Sequence, residues 1–266
     1  MLIPLDDRAS EFAVEVGIIG GSGFYEFVDQ PVDVTFDTPF GSPSAPITVG
    51  EVAGHQVAFL PRHGRHHEFV AHRVPFRANI WALASLGIRT VFGPCSCGSL
   101  QTSVGPGDFV IVDQLVDRTA GRDSTFFDRG APDDAPGFDH PLHHQSFADP
   151  YDADLRAALV QASEDVGITT HDGGVMVVIN GPRFSTRAES RWYRDMGWSV
   201  VNMTGMPEAV LAAEAGMRYA TAALVTDHDA GVDGHEPVTM DAVLAVMRDN
   251  IANLHQVLAA VIPRVV

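Results

Sequence analysis

Short apolar runs alternate with segments of helical period along almost the whole chain, and this constrains the fold more than any other feature. Residues 14–19 read as a strand ending in a glycine-rich turn, and residues 46–52 and 56–61 as a β-hairpin around Gly54. Residues 75–86 carry a helix, with proline in its first turn and Gly87 just past its end. A short strand follows at 90–92, then the turn-rich stretch 93–98, and β-rich residues at 109–116 and 174–179. Thr186 and Glu189 have the spacing of a capping box, opening a helix that ends near Gly197. A strand at 199–203, an alanine-rich helix at 207–215, a strand at 219–226 and a long helix at 239–261 complete the pattern. Such alternation predicts a single-domain α/β fold with a mixed, largely buried central β-sheet flanked by helices. Residues 1–13 read as a loosely packed N-terminal arm, and residues 14–266 as the domain.

Residues 119–149 break the pattern. They are rich in Asp, Pro, Gly and His and have no period. A stretch of that kind inside a compact domain is either an insertion or a functional or interface loop.

Charge narrows the partners. Among 266 residues there are 17 Lys+Arg against 34 Asp+Glu, a net charge of −17, and every basic residue is arginine. Without lysine there is no Schiff-base or P-loop lysine. So acidic a surface disfavours nucleic acid and anionic membranes. Two cysteines, Cys95 and Cys97, make no disulfide framework and fit a reducing compartment. The polar N-terminus has no signal-peptide core and no run reaches membrane-spanning length, so the expectation is a cytoplasmic protein.

Four stretches could carry chemistry. Gly20-Gly21-Ser22-Gly23 follows a strand, and its turn amides and the Ser22 hydroxyl suit an anion, although a plain turn reads the same way. Arg62-His63-Gly64-Arg65-His66-His67 is the densest cationic spot, a phosphate site in preference to a metal site or a surface cluster. Asn202-Met203-Thr204 ends a strand, where α/β ligands collect. Met203 could face a sugar and Thr204 an anion, or both could be ordinary core. Asp227-His228-Asp229 also ends a strand. Two close carboxylates raise one pKa and supply a general acid, unless they form only a solvated turn.

Taken together, these stretches resemble the trimeric purine nucleoside phosphorylase and 5′-methylthioadenosine phosphorylase family, most closely its methylthioadenosine branch. The motifs are GIIGGSG at 17–23, DTPFG at 37–41, RHG at 62–64, RANIWAL at 77–83, CGSL at 97–100, GPRFSTRAE at 181–189, NMT at 202–204 and TDHD at 226–229, in family order. The resemblance implies phosphorolysis, in which a nucleoside and inorganic phosphate give a base and a pentose 1-phosphate. Phosphate is then a co-substrate, and no cofactor or metal is needed. By resemblance, Ser22, Arg62, His63, Ser96 and Thr204 hold phosphate, with Arg62 and His63 making a small positive pocket. Phe184 lies against the base, Met203 under the ribose, Asn202 among the substrate-binding residues, and Asp227 and Asp229 on the purine, with Asp227 the general acid. His144 reaches the 5′ end from a neighbouring subunit of a trimer or hexamer. The role implied is purine salvage.

Asp227 implies a 6-aminopurine, because relatives that prefer 6-oxopurines usually carry Asn there; a general purine nucleoside phosphorylase is the alternative. A non-catalytic nucleotide-binding protein is the reading from another class. Cys95 stands where many relatives carry a phosphate-binding Thr, with Ser96 beside it to compensate. Many methylthioadenosine phosphorylases continue beyond the position of Val266, so Met240, Val243 and Leu244 become the expected apolar wall for the 5′ group, and adenosine is an alternative substrate.

Overall fold

The computed structural model describes residues 3–21, 28–127, 144–230 and 234–266. In chain order the elements are α1 (Ala9–Phe12), β1 (Val16–Gly20), β2 (Asp29–Val34), β3 (Ile47–Val52), β4 (His55–Pro61), α2 (Phe76–Ser85), β5 (Thr90–Phe92), β6 (Cys95–Ser99), β7 (Phe109–Ile111) and β8 (Gln114–Arg118). Then come α3 (Ala153–Val166), β9 (Thr170–Asp172), β10 (Val175–Ile179), α4 (Arg187–Asp195), β11 (Val200–Asn202), α5 (Gly205–Glu214), β12 (Arg218–Ala220), β13 (Ala223–His228) and α6 (Met240–Val261).

The strands form two mixed sheets. The first runs β12-β5-β1-β4-β3-β2 and the second β8-β10-β11-β6-β13-β7-β9. In the first, β12, β5, β1 and β4 are parallel, so their carboxyl ends share one edge. The two sheets are joined where β5 leads into β6 and β12 into β13. There the chains run side by side, with Gly93 N–H donating to Ala220 O and Cys95 N–H to Ala222 O. The single strand expected at 219–226 is therefore two strands in different sheets. The stretch 93–98, expected as turn, holds most of β6, an interior strand between β11 and β13. Its small residues reflect crowding, not a turn: a Cβ on Gly98 would sit 2.9 Å from Asp227 Oδ1.

Local signals account for most helix boundaries. Thr186 accepts from Glu189 N–H while Glu189 returns a bond to Thr186 N–H, completing the capping box of α4. Thr239 caps α6 through Ala242 N–H. Asp152 caps α3, a helix without a strong enough apolar stripe to stand out in the sequence. In the N-terminal segment Ile3 is buried and Asp6 N–H donates to Ser85 O, while Leu5 is exposed and α1 buries no residue. No described helix is long and apolar enough to cross a membrane.

Candidate active site

The carboxyl ends of β4, β11 and β13, the start of β6 and the loop after β10 meet α6 around a cavity of about 350 Å³. Arg62, His63, Ser96, Phe184, Asn202, Met203, Thr204, Asp227, Asp229, Met240, Val243 and Leu244 all line it. The volume suits a small organic ligand. Ser22 lies outside the described residues, as do residues 128–143 of the unpatterned stretch. His144 is exposed and does not line the cavity within this chain.

Arg62 is fixed before any ligand arrives. Its Nε donates to Glu208 Oε2 at 2.7 Å and its Nη2 to Glu208 Oε1 at 2.8 Å and Ile19 O at 2.8 Å. Nη1 donates to Pro94 O at 3.0 Å. Four of the five guanidinium hydrogens are thus committed, and one on Nη1 remains for the cavity. Burial opposes the charge, but Glu208 outweighs it and holds the guanidinium pKa above its ordinary value. Glu208 also accepts from Tyr219 Oη at 2.7 Å. Gly93 leaves room for both, since a Cβ there would come within 2.7 Å of Glu208 Oε1 and closer still to Tyr219 Oη.

His63 is also fixed. Its Nδ1 lies 2.8 Å from Phe69 O, so Nδ1 carries the proton and Nε2 is the available atom. The ring stacks on His67 at 4.7 Å between centroids. Burial and the Arg62 charge push its pKa down to about 4. It is therefore neutral near pH 7. With Arg62 matched by Glu208, the expected positive pocket is instead a charge-compensated one, offering directed N–H and O–H groups. Among the described residues, no group of three or more His, Cys, Asp or Glu is arranged to hold a metal ion.

Asn202 serves the backbone as much as the cavity. Its Oδ1 accepts from Thr204 N–H and Gly205 N–H, both at 2.7 Å, and its Nδ2 donates to Ser96 O at 2.9 Å. It anchors β11 to β6 and opens α5, which places Thr204 and Met203 at the cavity wall. Asn202 also lines the cavity itself. Cys95 Sγ lies 3.7 Å from Thr221 Oγ1, and burial lifts the thiol pKa to about 11, so it presents a neutral, weak donor.

At the far end, Thr226 Oγ1 donates to Asp227 Oδ2 at 2.8 Å. Burial, and secondarily the charge of Asp229, outweigh that bond and lift the Asp227 pKa to about 6. Asp229 is also raised by burial, with the Ser185 and Ser190 hydroxyls pulling the other way. The register shift between Val225 and Asp227 on β13 lets Asp227 sit opposite Gly98. A half-buried carboxyl that is part protonated near neutrality, facing a cavity, is what a general acid requires.

Sequence reasoning missed Glu208 and Tyr219. The signal for Glu208 was its position in an apolar, alanine-rich helix, where a carboxylate needs a buried partner. It also missed Met247, Ile251 and Leu254, which extend the apolar wall at helical spacing from Met240, Val243 and Leu244.

A model of the phosphorylase superfamily matches residues 15–263. The S-methyl-5′-thioadenosine phosphorylase of Mycobacterium tuberculosis is 53% identical over 251 residues, 94% of this chain and 89% of its own. The purine nucleoside phosphorylase of Streptomyces coelicolor is 50% identical over 251 residues, with the same coverage. The methylthioadenosine phosphorylase of Schistosoma mansoni, solved in complex with adenine, superposes with a TM-score of 0.87 at 37% identity, covering 94% of this chain and 91% of that one. Fold, cavity and sequence agree, and the chain belongs to the phosphorylase superfamily.

Proposed function

We propose that the protein cleaves the N-glycosidic bond of a 6-aminopurine nucleoside with inorganic phosphate, giving adenine and a pentose 1-phosphate. The observation that carries this reading is Asp227: a half-buried carboxyl with a pKa raised to about 6 at a strand end, in the same cavity as Arg62, His63 and Thr204. Bond cleavage builds negative charge on the purine and positive charge on the ribose. Asp227 protonates N7 of the leaving base, and Asp229 accepts from the 6-amino group. Phe184 covers the base and Met203 the ribose. The free Nη1 hydrogen of Arg62, the Thr204 hydroxyl and Ser96 orient phosphate for attack on C1′, with Ser22 completing that end. The His63 Nε2 lone pair accepts a hydrogen bond from the hydroxyl of hydrogen phosphate. No cofactor takes part.

The 5′ substituent faces α6. Val243, Leu244, Met247 and Ile251 give that wall no hydrogen-bonding side chain, which favours a 5′-methylthio group over a 5′-hydroxyl. Methylthioadenosine is thus the first substrate and adenosine the second. The reading includes a homo-oligomer, trimer or hexamer, in which His144 of a neighbouring copy closes the 5′ end, and a cytoplasmic role in purine salvage. A second reading, a broader purine nucleoside phosphorylase, is favoured by the same pKa: protonated Asp227 could also donate to a 6-oxo group.

Incubating the protein with methylthioadenosine, adenosine or inosine, with and without phosphate, tests this. Phosphate-dependent adenine release, fastest from methylthioadenosine, is expected. Release independent of phosphate would overturn phosphorolysis, and faster cleavage of inosine would overturn the 6-amino preference.

A further inference from the structure

Arg122 lies in the stretch that has no sequence period, yet it reaches under the site of its own chain. Its Nε donates to Asn180 Oδ1 at 3.2 Å, and its Nη2 to Asn180 O at 2.9 Å and Ile179 O at 3.4 Å. Its Nη1 donates to Met206 O. The guanidinium also lies over the Phe76 ring, 5.6 Å from its centroid. No carboxylate is within ion-pair distance of it among the described residues. Burial lowers its pKa to about 10, with Asp117 pulling the other way, so it stays charged at neutral pH.

The acceptors sit where regular structure breaks. Ile179 ends β10, and Met206 has non-helical dihedrals inside α5 (φ −118°, ψ 135°). Each break is next to cavity residues. Phe184 is four residues past Asn180, and Met203 and Thr204 are just before Met206. On the cavity side the same segments already touch: a Cβ on Gly181 would lie 2.5 Å from Met203 Sδ. One guanidinium fork joins them on the other side, and a single-point cation could not span these carbonyls.

We infer that Arg122 is a positioning residue for the reaction, a brace that fixes the base-covering segment at 180–184 relative to the turn carrying Met203 and Thr204. It touches neither substrate. Its effect is to hold the nucleoside and phosphate subsites in register, so that phosphate oxygen and C1′ meet in line. This rests on the phosphorolysis reading above. A misplacement of about 1 Å between reactants costs on the order of a hundredfold in rate. The loss should therefore fall on kcat, with each ligand still binding its own subsite.

The test compares the full-length protein with Arg122→Lys and Arg122→Met. Three quantities are measured: kcat with methylthioadenosine and phosphate, separate dissociation constants for adenine and inorganic phosphate, and hydrogen exchange by peptide. For Arg122→Met, kcat should fall by at least about tenfold while each dissociation constant moves less than about threefold. Arg122→Lys should recover only part of the rate, and millimolar guanidinium should raise the rate of the Met variant. Exchange should quicken in residues 179–184 and 203–207 and not across the rest of the chain. Unchanged kcat with unchanged exchange, or a loss explained entirely by weaker binding or global unfolding, would overturn the brace. Hydrogen exchange needs no turnover, so it tests the brace even if the wild-type protein fails to use phosphate, a result that would sink the phosphorolysis reading instead.

Discussion

Arg62 and Glu208 form a two-pronged ion pair beneath the cavity, at 2.7 and 2.8 Å, with each side chain only 2% exposed. The pair aims one Nη1 hydrogen at the ligand while cancelling the charge that would otherwise hold an anion hardest. If phosphorolysis is the reaction, a site built this way would bind phosphate by direction more than by net charge, and weaker retention would help a sugar phosphate leave.

The first prediction follows from that pairing. Arg62→Ala strips Glu208 of its partner inside the protein, so it should cost stability, about 3–5 kcal/mol, as well as phosphate use. Arg62→Met combined with Glu208→Leu should recover most of the stability and none of the activity. Tyr219→Phe removes one bond to Glu208 and should cost about 1 kcal/mol, with a modest rise in the KM for phosphate. Denaturation curves and phosphate kinetics check all three. An Arg62→Ala protein as stable as wild type would contradict the argument.

The second prediction concerns pH. Asp227 has its pKa raised from 3.8 to about 6, chiefly by burial. The fold favours its protonated form, so its contribution to stability is complete below pH 3.8 and is lost as pH rises through about 6. His63, lowered from 6.5 to about 4, acts in the opposite sense: its contribution is present above pH 6.5 and lost as pH falls through 4. The kcat/KM should decline above pH 6 as the acid form of Asp227 is lost. Asp227→Asn should be at least about a hundredfold slower, yet more stable than wild type at pH 8, with the advantage vanishing at pH 4. An equal stability difference at both pH values would remove Asp227 from this role.

Much of this site was legible because its residues sit at strand ends, where apolar runs stop and polar residues begin. Arg62, His63, Thr204 and Asp227 could be read that way, and all line one cavity. What was not legible depends on contacts distant in sequence. Glu208 pairs with Arg62 across 146 positions, and the division of residues 219–226 between two sheets depends on the Gly93 crossing. β6 was hidden because its small residues carry no strand propensity; crowding by Asp227 and Val201 selects them. The proton on His63 Nδ1 depends on the Phe69 carbonyl six residues away, a loop contact that periodicity does not encode.

The third prediction isolates Gly98. An alanine methyl there would stand 2.9 Å from Asp227 Oδ1, 3.2 Å from Val201 Cγ1 and 3.4 Å from Asp229 Cβ. The carboxyl can swing away more readily than the β11 side chain can, so Gly98→Ala should displace the acid while the sheet stays paired. The expected result is a loss of kcat of about a hundredfold, with a stability change of only about 1–3 kcal/mol. Adenine affinity should weaken and phosphate affinity should hold. If kcat stayed near wild type, Asp227 would not need its observed position.

The fourth prediction concerns the choice between 5′-methylthio and 5′-hydroxyl groups. Met240, Val243, Leu244, Met247, Ile251 and Leu254 form one stripe of α6 on the cavity, and Val243 is itself buried. Val243→Thr keeps the volume and adds a hydroxyl, so it gives a 5′-hydroxyl a partner and a thioether none. The kcat/KM ratio of methylthioadenosine to adenosine should fall by roughly tenfold. Most of that change should appear in KM, because the 5′ group is remote from the bond being broken and is held alike in ground and transition states. A ratio that did not move would place the 5′ substituent away from α6 and leave residues from another copy of the chain, such as His144, to set the preference.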